Sequence, residues 1–269
     1  HNKDPRRVLE RAALCRQPEV RRRVIKELPH QKPDKNAWAD ALMLSLIADH
    51  SSAVGVDAYE AAVKPKDGAK RVDVHQQALN SPCADVRVLG LRGAPKKNSE
   101  ELVPRMVELV RDDKPAVHIA AIEALDRVSP KSAEGFALAF ASIFYELRVR
   151  AMELCGRRRD ERCIVPAKEF LAIVETDINR PSDALRARAA AALADVGARS
   201  LLGYYQSLLE DGNPGVREMA SRGMATAAAP GDESMLSSVL GHEDLPVRSW
   251  VAEGLARLGD VRALPVLAG

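Results

Sequence analysis

Apolar residues in this chain fall at helical spacing in short blocks, and the blocks themselves recur. The clearest is LPVRSWVAEGLARLGDVRALPVL at 245–267. Val247, Val251, Leu255 and Leu258 lie three or four apart and predict one apolar stripe on a helix. Asp244 and Pro246 mark its start: aspartate accepts from free backbone N–H groups, and proline suits a first turn that needs no N–H. Gly259-Asp260 marks its end, because glycine tolerates the left-handed conformation at a helix terminus. Ala263, Leu264, Val266 and Leu267 then predict a second helix.

The anchor of this block repeats as Val20-Arg21, Val86-Arg87, Val117-His118, Leu147-Arg148, Leu185-Arg186, Val216-Arg217 and Val247-Arg248. From residue 86 onward the steps are 31, 30, 38, 31 and 31. The gap of 66 between 20 and 86 holds one degenerate copy at Val54-Gly55, which makes about eight units. A period near thirty with two helices per unit predicts an all-α fold, a right-handed α-solenoid, read as a single domain over 1–269. Its repeats are weak over 1–80 and regular over 82–269.

Small residues follow each anchor in phase. Four positions on stand Val24, Gly90, Ala121, Ala151, Ala189, Ala220 and Val251; seven on stand Gly93, Ala124, Ala192, Gly223 and Gly254, with Glu27 and Leu154 as exceptions. A mid-helix glycine costs about 0.5–1 kcal/mol relative to alanine. Its return at one phase predicts a close approach between helices. Pro104, Pro166 and Pro265 fall early in their second helices, where a missing N–H matters least.

This pattern resembles the HEAT-repeat family, and within it the short bacterial repeats first named from phycobilisome lyases. The residues that carry the resemblance are D-x-P-V-R at 244–248, the Ala/Gly positions behind it, and LGDVRALPVL at 258–267. It covers 181–269 strongly, 82–175 fairly and 1–80 weakly, and it specifies fold more than function.

The helix pairs are expected at 18–28 and 37–48, 53–63 and 69–79, 83–93 and 99–111, 115–128 and 132–143, 145–156 and 162–176, 183–196 and 199–210, 214–227 and 232–240, and 245–258 with 262 onward. Residues 5–15 are expected to cap the first pair or to end a preceding one. Phe136, Phe140 and Phe144 are four apart and are expected to share one buried helix face. An insertion near 176–183 lengthens one loop.

Composition narrows the function. Aromatic residues are only 4%, so the core must be built from Ala, Val and Leu. Net charge is +2 with 29% charged residues, which gives no strong electrostatic case for nucleic acid or an anionic membrane. No apolar run approaches the roughly 20 residues of a membrane span. Cys15, Cys83, Cys155 and Cys163 form no C-x-x-C pair and read as free thiols in a reducing, cytoplasmic setting. Both ends look cut, and a piece of a longer protein is expected.

Nothing in the chain demands an enzyme. No G-x-x-x-x-G-K-[ST], G-x-S-x-G or H-E-x-x-H is present. The repeated arginine (21, 87, 148, 186, 217, 248) is read as a partner for turn carboxylates such as Asp85, Asp112, Asp113, Asp183, Asp211 and Asp244. The alternative is a phosphate ladder. Arg6-Arg7, Arg21-Arg22-Arg23 and Arg157-Arg158-Arg159 are the remaining basic clusters.

The resemblance adds two further alternatives. Some HEAT-like proteins are DNA glycosylases, but their basic concave face with aromatics and an acidic residue is not assembled here. His242-Glu243 is similar to the His-Glu iron ligands of deoxyhypusine hydroxylase, yet His30, His50, His75 and His118 have no glutamate after them. A lyase-type partner role rests on repeat type alone. No cofactor and no metal are expected.

The reading is a non-catalytic scaffold for a protein partner. The resemblance implies that the second helices line a concave face. The residues expected there are Arg105, Glu108, Lys168, Glu169, Tyr204, Gln206, Ser237 and Ser238. Of the adjacent pair Tyr204-Tyr205, one side chain is expected to point outward.

Overall fold

The computed structural model describes residues 4–28, 37–65, 67–173 and 180–268, and these are helical with no strand among them. They form two compact units, 1–139 and 140–269.

The first unit opens with α1 (Pro5–Ala13), whose start is capped by Asp4 accepting from the N–H of Arg6 at 3.1 Å. Helical hairpins follow. Their first helices are α2 (Pro18–Glu27), α4 (Ser52–Val63), α6 (Ala84–Gly93) and α8 (Pro115–Val128). Their second helices are α3 (Ala37–Ile47), α5 (Val72–Leu79), α7 (Val103–Leu109) and α9 (Ala133–Phe140), the last ending at the unit boundary.

The second unit has first helices α10 (Tyr145–Arg157), α12 (Asp183–Val196), α14 (Pro214–Ala227) and α16 (Leu245–Arg257). Its second helices are α11 (Ile164–Leu171), α13 (Leu202–Leu208), α15 (Glu233–Ser237) and α17 (Leu264–Leu267).

Within each unit, every first helix packs on the first helix of the next hairpin, and every second helix packs on the first helix that follows it. The sequence register explains this packing. The anchors Val54, Val86, Val117, Leu147, Val216 and Val247 are fully buried. The residues eight positions on, from Leu28 and Ala94 through Leu125, Cys155, Leu193, Met224 and Leu255, are buried as well.

The small positions are points of contact. A Cβ built on Gly254 would lie 2.9 Å from the Cα of Ala225 on the neighbouring first helix. On Gly223 it would meet the ring of Tyr205 at 2.7 Å. Tyr205 is buried there and donates its hydroxyl to the carbonyl of Leu193 at 2.6 Å.

The second helices are shorter than the apolar pattern predicts. In four hairpins their first three residues wind as tight 3₁₀ turns: Glu100–Leu102, Glu161–Cys163, Arg199–Leu201 and Val261–Ala263. The prolines of α7, α11 and α17 sit just beyond those turns. The last residues of the expected 162–176 helix lie partly outside the described residues. The aromatic stripe is also corrected. Phe136 is buried, but α9 ends at Phe140, and Phe144 becomes the exposed residue that opens α10. Ser142, whose hydroxyl accepts the N–H of Phe144 at 3.1 Å, turns the chain before the helix can reach it.

Candidate functional site

The repeated arginine proves to be a structural rung. Arg21 donates to both oxygens of Asp49 at 2.7 and 2.8 Å, and to the carbonyls of Cys15 and Arg16. Arg87 donates to the carbonyls of Ser81 and Pro82 and to Asp112 at 3.0 Å. Arg217 donates to the carbonyls of Asp211 and Gly212 and to Asp244 at 2.6 Å. Each therefore ties the turn before its own helix to the turn before the next hairpin. Arg186 reaches Asp211 at 2.6 Å, but after the long loop it takes the carbonyls of Leu171 and Ile173.

Three expectations are adjusted. Asp49 belongs to the set, whereas Asp85 accepts from Ser52 and Asp183 pairs with Arg180. Arg248 donates to the carbonyls of His242 and Glu243. Arg148 lies over the rings of Tyr145 and Phe170, at 5.8 and 5.2 Å.

The sixth residue before each rung explains the pattern. Asp49, Asp112 and Asp211 each accept the N–H two residues on, at 2.7 to 2.9 Å, and so hold the turn while facing the arginine. His242 does the capping through Nδ1 at 3.0 Å, and Asp244 takes over the ion pair. Where the rung is Gly55 or His118, the next such residue is Ser81 or Ser142, so arginine and carboxylate are lost together. At Gly55 the two carbonyls that an arginine would take, Asp49 and His50, receive the thiol of Cys83 at 3.4 and 3.3 Å.

With those arginines committed to structure, the polar side chains of the second helices remain. In the first unit, Arg105 pairs with Glu108 at 2.7 Å and donates to the carbonyl of Leu79 at 3.3 Å. In the second unit, Lys168 Nζ lies 4.6 Å from the centre of the Tyr204 ring, a cation–π contact between neighbouring second helices. Tyr204 is half-buried and Tyr205 buried, the split that adjacent helical positions imply. Burial raises the phenol of Tyr204 above its ordinary range. Glu169 is exposed.

Gln206 and Ser238 line one groove of about 350 Å³ with Leu209, Glu210, Val239 and His242. Ser237 accepts from Arg262 at 2.8 Å, and Arg262 is held by Asp260, which it lowers to about 2. The structure thus brings together Lys168 with Tyr204 and Gln206 with Ser238. It adds Glu210 and Arg262, which the sequence reading missed, and His242, which that reading weighed only as an iron ligand. The recurrence of Asp-x-Arg in 160–162 and 260–262 was the available signal for Arg262.

This surface offers shape, hydrogen bonds and the side chains of Glu210 and His242. Among the described residues no group of three or more His, Cys, Asp or Glu side chains is placed to hold a metal. His242 Nδ1 is already taken by the N–H of Asp244. Burial pushes the thiols of Cys155 and Cys163 up, to about 11 and about 12, away from nucleophilic use. Among the described residues no helix is long and apolar enough to cross a membrane.

Comparison with known proteins bears on the repeats. Residues 206–269 match the family model for HEAT repeats. Two crystal structures of engineered proteins are similar in part. One is 16% identical with a TM-score of 0.48, covering 99% of this chain and 82% of that one. The other is 15% identical with a TM-score of 0.27, covering 98% of each. No curated protein matches the chain.

Proposed function

We propose that this chain, whose residues 206–269 are HEAT repeats, works as a non-catalytic scaffold that presents the ridge of its second helices to a protein partner. The observation that carries the reading is Tyr204. It is the half-exposed member of a tyrosine pair in a chain poor in aromatics, in cation–π contact with Lys168 and on the same helix as Gln206, which lines a groove with Ser238. A tyrosine held in one orientation loses little entropy on binding and is a frequent anchor of protein interfaces. Glu169 and Ser237 belong to the second helices of the same unit, and Arg105 and Glu108 are their counterparts in the first unit. Four unpaired cysteines fit a reducing, cytoplasmic setting.

The test is quantitative affinity purification with the wild type and with a variant carrying Tyr204→Ala, Lys168→Ala and Arg105→Ala together. Recovery of the specific partner should fall about tenfold or more. Undiminished recovery would show that the ridge is not the docking surface. Binding that falls steeply with salt and needs no protein partner would instead favour nucleic acid.

A further inference from the structure

Repeats five and eight close their first helices with the same hydrogen bonds. Arg159 N–H donates to Gly156 O at 2.8 Å and Asp160 N–H to Cys155 O at 3.0 Å. Gly259 N–H donates to Ala256 O and Asp260 N–H to Leu255 O, both at 2.9 Å. Each aspartate then accepts from the N–H two residues on, Arg162 at 3.1 Å and Arg262 at 2.9 Å.

Only the residue in the left-handed position differs. Gly259 and, in repeat six, Gly197 hold φ of 80° and 64°, where glycine is free of strain. Arg159 holds φ of 55° with a full side chain, at a conformational cost that Gly197 and Gly259 avoid. The guanidinium of Arg159 is exposed and has no hydrogen-bond or ion-pair partner among the described residues, and the same is true of Arg157.

Arg159 borders a groove of about 680 Å³ that runs past the closing ends of α12, α14 and α16. Gly197 contributes no side chain to it, and Thr226, Trp250, Glu253 and Arg257 line it as well. Arg257 is anchored by the carbonyls of Ala225 and Ala228. Trp250 is half-buried, an aromatic wall between two arginines and one glutamate.

We propose that this groove docks an acidic segment of a partner protein, with Arg159 taking a carboxylate and an apolar side chain lying against Trp250. Charge complementarity selects that occupant. Arg159, with no ion-pair partner among the described residues, and Arg257 bring two positive charges against the one carboxylate of Glu253, and a wide apolar indole lies within the same groove. The site is separate from the second-helix ridge and stands or falls without it.

The experiment titrates the whole chain, in about 0.1 M salt, with a labelled peptide EELEELEE, using KKLKKLKK and inorganic phosphate as controls. The acidic peptide should bind saturably. Its affinity should fall about fivefold or more in Arg159→Gly and in Trp250→Ala, recover in Arg159→Lys, and stay unchanged in Tyr204→Ala. The thermal midpoint of Arg159→Gly should rise by about 2–4 °C, since the strain is released.

Absence of saturable binding overturns the proposal, as does equal binding of KKLKKLKK. Displacement by phosphate at equal concentration assigns the groove to small anions and also overturns it. A lowered midpoint for Arg159→Gly would show that the side chain holds the turn and is not kept for a partner. Loss of binding in Tyr204→Ala alone would assign the peptide to the ridge.

Discussion

At the scale of the residue, an arginine's role is decided by what lies within reach of its fork. Arg186 and Asp211 are both nearly buried, with side-chain exposures of 6% and 13%. Removing one partner strands the other without water. Arg186→Ala should destabilise the fold by about 3 kcal/mol in urea unfolding. Arg105→Ala, which breaks a pair with 37% and 63% exposure, should cost under about 1 kcal/mol. Similar losses for both would show that the rungs carry no special weight. The recurrence of arginine was legible in the sequence, and so was the acidic character of the turns. Which acid each arginine takes was not, because the partner stands 25 to 28 residues on and its position shifts with the capping residue, as at Asp244.

At the scale of the element, the first helices followed directly from the apolar stripe, because burial and periodicity agree along their whole length. The second helices did not. Their leading residues carry apolar side chains in helical phase yet wind as 3₁₀ turns, and hydropathy does not separate the two. The candidate site was partly legible for a related reason. Adjacency within one helix foretold that Tyr204 and Tyr205 would part, but Lys168 and Tyr204 meet across hairpins joined by the long loop, which no spacing encodes.

Glycine makes the packing of elements testable. A Cβ on Gly156 would stand 2.5 Å from the carbonyl oxygen of Ala192 and 3.0 Å from its Cα, both in backbone of the next first helix. Gly156→Ala should therefore cost about 1–3 kcal/mol. Gly203, exposed in α13 with nothing within 4 Å, should gain up to about 1 kcal/mol as alanine. Opposite signs in thermal unfolding check the pair.

At the scale of the whole molecule, the ionisable groups set a pH range. Burial would raise Asp49 and Glu153, but Arg21 in one case and Arg188 with Arg150 in the other outweigh it and hold both below their ordinary values. Arg162 does the same for Asp160 more directly. Each contributes stability above its unfolded value near 4, which is lost as pH falls through the lower folded value. His75 and His118 are lowered by burial. Their neutral forms favour the folded chain, a contribution present above about 6.5 and lost as pH falls below it. The denaturation midpoint should be level from pH 8 to 7, decline from about 6.5 and drop steeply below about 4. His75→Gln should flatten the upper decline; a profile level down to pH 4.5 would remove the histidines from this account.

The paired loss of Gly55 with Ser81 has a consequence for anyone recombining such proteins. A cut placed between hairpins, where the eye divides the chain, severs each guanidinium from its carboxylate. The heritable cassette is offset by half a step, from the start of one first helix through the turn that opens its successor. Grafts spliced in that frame would carry their own fastening, whereas hairpin-for-hairpin swaps would pair an arginine with a serine and leave the joint unlatched.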